Sequence, residues 1–283
     1  MTSPSRRVEP YALMWRLPML IWQGLFFIGP LAFMIAMSFF LVKNYRMEPA
    51  FQMQNWVKTF TRDYFWSAYV FTLWMASLAT VVTTLAAFPA SFFLAFKVNE
   101  TVRRWALFFL IIPFFTSYLV RIFAWQVILA QQGVLNALFG LAGLGPYTML
   151  NTQFGTIVGY ATLCLPLAII LQTFSLANID TRLVEAAHNL GCGRFRAIYA
   201  VIVPLAKTGL IVAAVFCFIL SFGDFVAPYY LGGSKPPTLS IMIIDTSKSG
   251  QQWPRAAVVA ITMIVTLLTV AFAAIGYAYR KRR

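Results

Sequence analysis

Charged side chains are scarce in this chain, and the motifs of common enzymes are absent from it. Only 11% of its 283 residues are charged, whereas 60% are hydrophobic and 17% aromatic, which excludes a soluble domain with a single core. There is one histidine, His188, and the three cysteines lack the spacing of a metal site or a disulfide framework. No G-x-x-x-x-G-K-[ST] phosphate loop and no H-E-x-x-H motif occurs. The sequence therefore predicts no catalytic residue, no bound metal and no cofactor held by this chain.

Long apolar runs are the main feature that the chain does have. A spanning helix needs about 20 mainly apolar residues, and we assign such runs to residues 18–42, 67–96, 105–130, 153–176, 208–229 and 254–279. Prolines are predicted to kink the second, third and fourth runs, at Pro89, Pro113 and Pro166. We therefore expect an all-α, polytopic membrane protein with six transmembrane helices. Its parts would be a tail at 1–17, a membrane domain at 18–279 and a basic tail at 280–283.

Basic residues are distributed unevenly between the two sides of such a membrane domain. More than twice as many Lys and Arg residues lie in one set of segments, 1–17, 97–104, 177–207 and 280–283, as in the other, 43–66, 131–152 and 230–253. The positive-inside rule then predicts that both termini are cytoplasmic. Membrane orientation also explains the net charge of +14, without nucleic acid as a partner. The opposite segments are predicted to be outer loops, with 131–152 as a re-entrant or interfacial excursion.

The cytoplasmic loop at 177–207 begins with the pattern of a short helix and a tight turn. Asp180 is a favourable N-cap, and the apolar side chains that follow share one helical face, at Leu183, Ala186, Ala187 and Leu190. Gly191 and Gly193 are expected to end this helix, because glycine enters the left-handed region without a Cβ penalty.

A second short helix is predicted at 194–203, with Pro204 as the start of the next element. The small Ala186–Ala187 pair would let another backbone approach closely, and Glu185 beside it is a candidate anchor. The loop is therefore a candidate docking surface for another protein. An ordinary solvated cytoplasmic loop is the alternative.

These loop residues also resemble a known motif. Glu185–Ala186–Ala187, Gly191 and Val201-x-Val203–Pro204 are similar, in order and spacing, to the EAA loop of ABC-importer permeases. That family prefers Ile and Leu at the two valine positions, a mild departure that keeps the apolar character. The resemblance implies the ABC-importer permease fold and an ATPase-docking loop that contains Glu185, Ala186, Ala187, Gly191, Val201 and Pro204.

The same resemblance implies the partners of the chain. They are two cytoplasmic ABC ATPase subunits, which would bind ATP and magnesium, a second homologous permease chain and a periplasmic solute-binding protein. The outer loops at 43–66 and 230–253 would receive the solute-binding protein.

Two further stretches resemble the spermidine/putrescine branch of these permeases. They are PFFTSYLVR at 113–121, followed by Ala124–Trp125, and GDFV at 223–226, followed by Pro228. The branch implies a permease of the bacterial inner membrane that moves a small cationic polyamine by alternating access. A permease for another small nitrogenous solute is the alternative. An ion-driven secondary transporter is less favoured, since the two halves of the chain show no clear internal repeat.

Two ionisable residues fall inside the predicted spans, Arg121 and Asp224. Each lies about 16 residues, or roughly 24 Å, from the cytoplasmic end of its run, and such groups face a cavity or a partner because charge in lipid is costly. One interpretation is a mutual salt bridge that holds the spans together. The other is that Asp224 meets an ammonium group of the substrate, beside cation–π surfaces offered by Tyr118, Trp125 and Phe225.

Overall fold

The computed structural model describes residues 10–43, 46–248 and 250–280, with side chains described from Trp15 onwards except Arg16. Residues 1–9 of the predicted N-terminal tail and 281–283 of the predicted basic tail lie outside the described residues. Contacts divide the chain into two units, Met1–Arg62 with Ile243–Thr262 and Asp63–Met242 with Met263–Arg283.

The chain begins with helices and a short hairpin. These elements are α1 (Pro10–Gln23), a π turn (Gly24–Ile28), α2 (Gly29–Met37), β1 (Leu41–Lys43), β2 (Arg46–Glu48) and α3 (Gln54–Phe60). The first apolar helix ends at Met37 rather than at Val42, because the next residues pair as antiparallel strands with Val42 opposite Met47. The side-chain amide of Asn55 donates to the carbonyls of Ser38 and Phe40, at 3.0 and 2.7 Å, and so fixes the chain where the helix stops.

Helices make up the remainder of the chain. They are α4 (Asp63–Phe96), α5 (Glu100–Phe115), α6 (Tyr118–Leu129), α7 (Val134–Leu141), α8 (Gln153–Ala177), α9 (Thr181–Asn189), α10 (Arg194–Ala197), a π turn (Ile198–Ile202), α11 (Val203–Gly223), α12 (Val226–Tyr230), α13 (Leu239–Lys248) and α14 (Trp253–Tyr279). Within the described residues, six segments are long and apolar enough to cross a membrane: Leu17–Met37, Asp63–Phe96, Tyr118–Leu141, Gln153–Ala177, Arg194–Gly223 and Trp253–Tyr279. The predicted all-α class with six spans is confirmed.

The predicted third span is wrong in its position. We expected one helix over 105–130 with a kink at Pro113, but the helix stops at Phe115 and a new one starts at Tyr118. Thr116 between them is extended, and its hydroxyl and amide both donate to the carbonyl of Pro113, at 2.9 and 3.3 Å. Because the hydroxyl and amide satisfy a carbonyl at the end of α5, the break is stable without a continuous helix.

The centre of the second unit is the packing of α4, α8 and α11. Small residues let these helices approach, and a Cβ on Gly209 of α11 would lie only 2.3 Å from the Cβ of Ser175 on α8. Gln172 of α8 donates to the carbonyl of Thr84 on α4 at 3.0 Å and accepts from the hydroxyl of Ser91 at 2.9 Å. Polar pairs of this kind hold helices together in lipid, where apolar contact alone gives no preference for protein over lipid.

The segment 230–253, predicted as an outer loop, contains a helix that begins at a buried position. Thr238 and Leu239 are fully buried, and the amide of Leu239 donates to the hydroxyl of Thr72 on α4 at 2.9 Å. A partner cannot reach these two residues, so only part of 230–253 is open to a solute-binding protein. The apolar sequence Leu239–Ile244 explains the difference, since it favours burial over exposure to water.

Candidate functional site

Asp224 lies at a break between two helices and not inside a continuous span, as the predicted run 208–229 required. Helix α11 ends at Gly223, and Asp224 takes an extended conformation with ψ 137°. Its carboxylate accepts from the amides of Val226 at 2.9 Å and Ala227 at 3.1 Å. These are the bonds of an N-cap, for which aspartate is among the best residues. The side chain of Asp224 therefore holds the first turn of the short helix α12, which begins two residues later.

The hydroxyl of Tyr118 donates to the same carboxylate at 2.7 Å. Tyr118 is the first residue of α6, so this bond joins the break between α5 and α6 to the break between α11 and α12. The donors to Asp224 are thus a hydroxyl and two backbone amides, all of them neutral. Asp224 therefore has no positively charged hydrogen-bond partner among the described residues.

Arg121 lies one helical turn after Tyr118. One nitrogen of its guanidinium, Nη1, donates to the backbone carbonyl of Thr162 at 3.3 Å. That carbonyl has no helical partner, because Pro166 four residues later has no N–H to donate. The guanidinium carbon also lies 5.6 Å from the centre of the Tyr118 ring, within cation–π range. The buried Nε of Arg121 has no hydrogen-bond partner among the described residues.

The interpretation of Arg121 and Asp224 as a mutual salt bridge is wrong. Among the described residues, the ion pairs within 4.0 Å are Lys43–Glu48 and Arg104–Glu100, both of them exposed. The physical reason is that each charge is already engaged by neutral groups. Tyr118 contacts both, through its hydroxyl on one side and its ring on the other.

A double-mutant cycle tests this arrangement. We expect Asp224→Asn and Arg121→Gln to show only a small coupling in the thermal stability of the purified protein, about 0.5–1 kcal/mol, because Tyr118 is the contact that the two residues share. A buried ion pair would instead lose about 3–5 kcal/mol in each single variant, and much of that loss would be restored in the double variant. Restoration of that size would contradict the geometry described here.

The two other predicted pathway residues differ in their surroundings. Trp125 packs half-buried against a core cluster that includes Ile122 and Leu129, so its contacts are structural. Phe225 follows Asp224 in the break, and 42% of its surface is exposed. The structure therefore brings Asp224, Tyr118 and Arg121 into one group, with Phe225 at its edge. Sequence reasoning missed the carbonyl of Thr162, although its position four residues before Pro166 was a usable signal.

The loop at 177–207 starts as predicted. Asp180 caps α9, and its side chain accepts from the amide of Arg182 at 3.0 Å. Gly191 has a φ of +82°, the left-handed conformation that was expected of it. Gly193 does not share this conformation, since its φ is −66° and it stands at the N-cap of α10. One glycine therefore makes the turn, and the other starts the next helix.

Pro204 lies in the first turn of α11, as predicted, but α11 continues the helix before it without a break. Helix α10, the π turn at Ile198–Ile202 and α11 form one helical segment, Arg194–Gly223. The amide of Val203 reaches back five residues to the carbonyl of Ile198, and this wider turn accommodates a proline that lacks its own donor. The second helix predicted in this loop is thus the beginning of the fifth span.

The surface of this loop is rich in uncovered apolar side chains. Glu185 and Ala186 are exposed, Ala187 and Val201 are half-buried, and Pro204 is exposed. Close to them, Leu190, Phe195 and Tyr199 are 89%, 81% and 74% exposed. Large apolar side chains left exposed on one loop are typical of an interaction surface. We call these residues, Glu185, Ala186, Leu190, Phe195 and Tyr199, the docking patch.

Comparison with known proteins gives a family match and named relatives. Residues 87–283 match the family described as "Binding-protein-dependent transport system inner membrane component". The spermidine/putrescine transport system permease protein PotB of Haemophilus influenzae is 30% identical, over 70% of this chain and 70% of that protein. The protein of the same name from Escherichia coli is 27% identical, over 87% of this chain and 90% of that protein.

The fold has a counterpart among solved structures as well. The crystal structure of a bacterial ABC transporter involved in the import of the acidic polysaccharide alginate gives a TM-score of 0.74. The match covers 96% of both chains at 18% sequence identity, so it shows the shared fold alone. The ion-driven alternative is set aside by the family match. This multi-pass inner-membrane chain is a non-catalytic permease subunit of an ABC importer, and it belongs to the family of binding-protein-dependent transport system inner membrane components.

Proposed function

We propose that this chain forms part of the pathway of an importer for a small polyamine of the spermidine or putrescine type. The observation that carries the proposal is the carboxyl group of Asp224, which lies at a helix break and accepts its described hydrogen bonds from neutral donors alone. A protonated amine supplies the positive charge that this carboxylate lacks. The relatives named for spermidine/putrescine transport support the same class of substrate.

The surroundings of Asp224 suit a flexible cation with apolar segments. The half-exposed ring of Phe225 stands next to it, and the Tyr118 ring is linked to it by a hydrogen bond. Rings beside a carboxylate contact the methylene groups of a polyamine and attract its ammonium groups through cation–π interactions. Gly223 adds room here, because nothing lies within 4 Å of the position of its missing Cβ.

Another small nitrogenous solute is a second candidate, and Arg121 favours it. Its Nε is buried and has no partner among the described residues, so a solute that carries both an amine and a carboxylate would engage both charges. A polyamine would leave that Nε without a hydrogen-bond partner.

We place the chain in the bacterial inner membrane with both termini in the cytoplasm. Its partners would be two ABC ATPase subunits that bind ATP and magnesium, a second homologous permease chain and a periplasmic solute-binding protein. The docking patch supports contact with the ATPases, since its apolar residues are open on the loop that joins α8 to α11. Closure of the ATPases on ATP would pull the docking loops together and switch the cavity between inward and outward access.

Uptake by the reconstituted importer tests the substrate. Proteoliposomes with the assembled complex and its solute-binding protein are expected to take up labelled spermidine or putrescine when ATP is supplied inside. Unlabelled polyamines should compete, whereas a zwitterionic amino acid should not. A complex whose ATPase cannot hydrolyse ATP provides the control. Competition by the zwitterion, with no uptake of either polyamine, would favour the second candidate.

A further inference from the structure

A groove of about 630 Å³ lies between the beginning of the fifth span and the end of α14. Its lining includes Tyr199, Lys207 and Ile211 from the π turn and α11, Tyr277 and Ala278 from the end of α14, and Arg280 just after it. The site is separate from Asp224, which stands at the opposite end of α11. No part of the function proposed above uses the two basic residues of this groove.

The charges in the groove are of one sign. Lys207 Nζ donates to the backbone carbonyl of Tyr277 at 3.1 Å and lies 4.0 Å from the centre of that ring. Arg280 follows the last residue of α14, and no carboxylate of the described residues lines the groove. The ammonium of Lys207 has three donors, of which this carbonyl takes one. The groove therefore contains two basic side chains with unused hydrogen-bond donors, and no acidic side chain of the described residues.

The remaining walls are apolar and lie where the protein leaves the membrane. Val203, Leu210 and Ile211 form one side of the groove. Helix α14 has 27 residues, about 40 Å at 1.5 Å per residue, which exceeds a hydrocarbon core of about 30 Å. Its last turn consequently reaches the level of the lipid headgroups. Tyr199 and Tyr277, both largely exposed, are typical of that level.

We propose that this groove binds an anionic phospholipid. The phosphate would lie against Lys207 and Arg280, and an acyl chain would follow Val203 and Ile211 along α11. Basic pockets between transmembrane helices select anionic headgroups in this way. The apolar wall is what distinguishes a lipid from a free phosphate, which would leave that wall in water. A lipid held between the two cations fastens the end of α11 nearest the docking patch to α14.

Native mass spectrometry of the full-length chain, purified with its partners, measures this binding. The protein is offered equal amounts of phosphatidylglycerol and phosphatidylethanolamine with identical acyl chains, and we expect it to retain the anionic lipid preferentially. Arg280→Gln should lower that preference about fivefold, and Lys207→Gln with Arg280→Gln about thirtyfold, because each basic residue contributes about fivefold. Arg280 lies outside the helix, so its replacement leaves folding intact, and Gln at 207 keeps a donor for Tyr277.

The matched control removes two cations elsewhere. Arg103→Gln with Arg104→Gln changes the start of α5, where Glu100 already lies 3.4 Å from Arg104, and should leave the lipid preference at the wild-type value. Equal retention of both lipids by the wild type, or an unchanged preference in the Lys207 and Arg280 double variant, would overturn the proposal. Displacement of the lipid by millimolar glycerophosphate would also overturn it, since the site would then recognise a soluble phosphate.

Discussion

An importer that carries Asp224→Asn is expected to assemble normally and to lose most of its polyamine uptake. The asparagine oxygen can still accept from the α12 amides or from Tyr118, so the helix break is preserved, but the charge that would meet an ammonium group is gone. Loss of one partner from a buried charge pair costs about 2–5 kcal/mol, which corresponds to at least about thirtyfold in affinity. The measurement is the initial rate of spermidine or putrescine uptake, recorded with the melting temperature of the complex.

Glu100→Gln is the matched control for that experiment. It removes an exposed carboxylate that lies at the start of α5 and already faces Arg104, and it should transport at the wild-type rate. Wild-type uptake by Asp224→Asn at normal stability would place Asp224 off the pathway. A fall in melting temperature that matches the loss of uptake would assign the residue a structural role instead.

Gly191→Val is expected to leave the chain inserted in the membrane and to abolish communication with the ATPases. The φ of Gly191 is +82° and the space around its Cβ position is open, so the strain would come from the backbone and not from a clash. A residue with a Cβ that is held in this conformation raises the free energy of the fold by about 1–3 kcal/mol. The turn would relieve this strain by changing its direction. The docking patch would then be displaced. Stimulation of ATP hydrolysis by the loaded solute-binding protein is the quantity to measure.

Gly191→Asn separates backbone strain from side-chain bulk. Asparagine is tolerated in the left-handed region, so this variant should keep most of the stimulation. Equal loss in the Asn and Val variants would mean that any side chain at this position obstructs the partner. Full stimulation in the Val variant would show that the turn does not position the docking patch.

Local chemistry explains which features could be predicted from the sequence. The six apolar spans depend on run length, the cap at Asp180 on its side chain, and the conformation of Gly191 on its missing Cβ. Each of these features is determined by residues that are close together in the sequence. The continuity of the helix past Pro204 was missed because a π turn supplies an alternative hydrogen bond, which the presence of a proline does not reveal.

The candidate site depended on contacts between distant residues, and there the prediction was less successful. Arg121 and Asp224 were singled out as charges that are costly in lipid, but a list of charges does not show which neutral groups surround them. The partner of Asp224 is a hydroxyl from a residue 106 positions away, and the partner of Arg121 is a carbonyl 41 positions away. The breaks at Thr116 and Asp224 likewise depend on capping by specific neighbours, which apolar run length cannot specify.

The uninterrupted segment Arg194–Gly223 has a mechanical consequence. Its 30 residues extend about 45 Å, with the second half of the docking patch at one end and the break at Asp224 just beyond the other. A hinge at Pro204 would have converted a push at the docking patch into local bending of the segment. A helical segment that moves as one body instead acts as a lever, in which a tilt of about 10° about its middle moves each end by roughly 4 Å in opposite directions. In such a motion, a push at the docking patch would displace the end near Asp224 in the opposite direction.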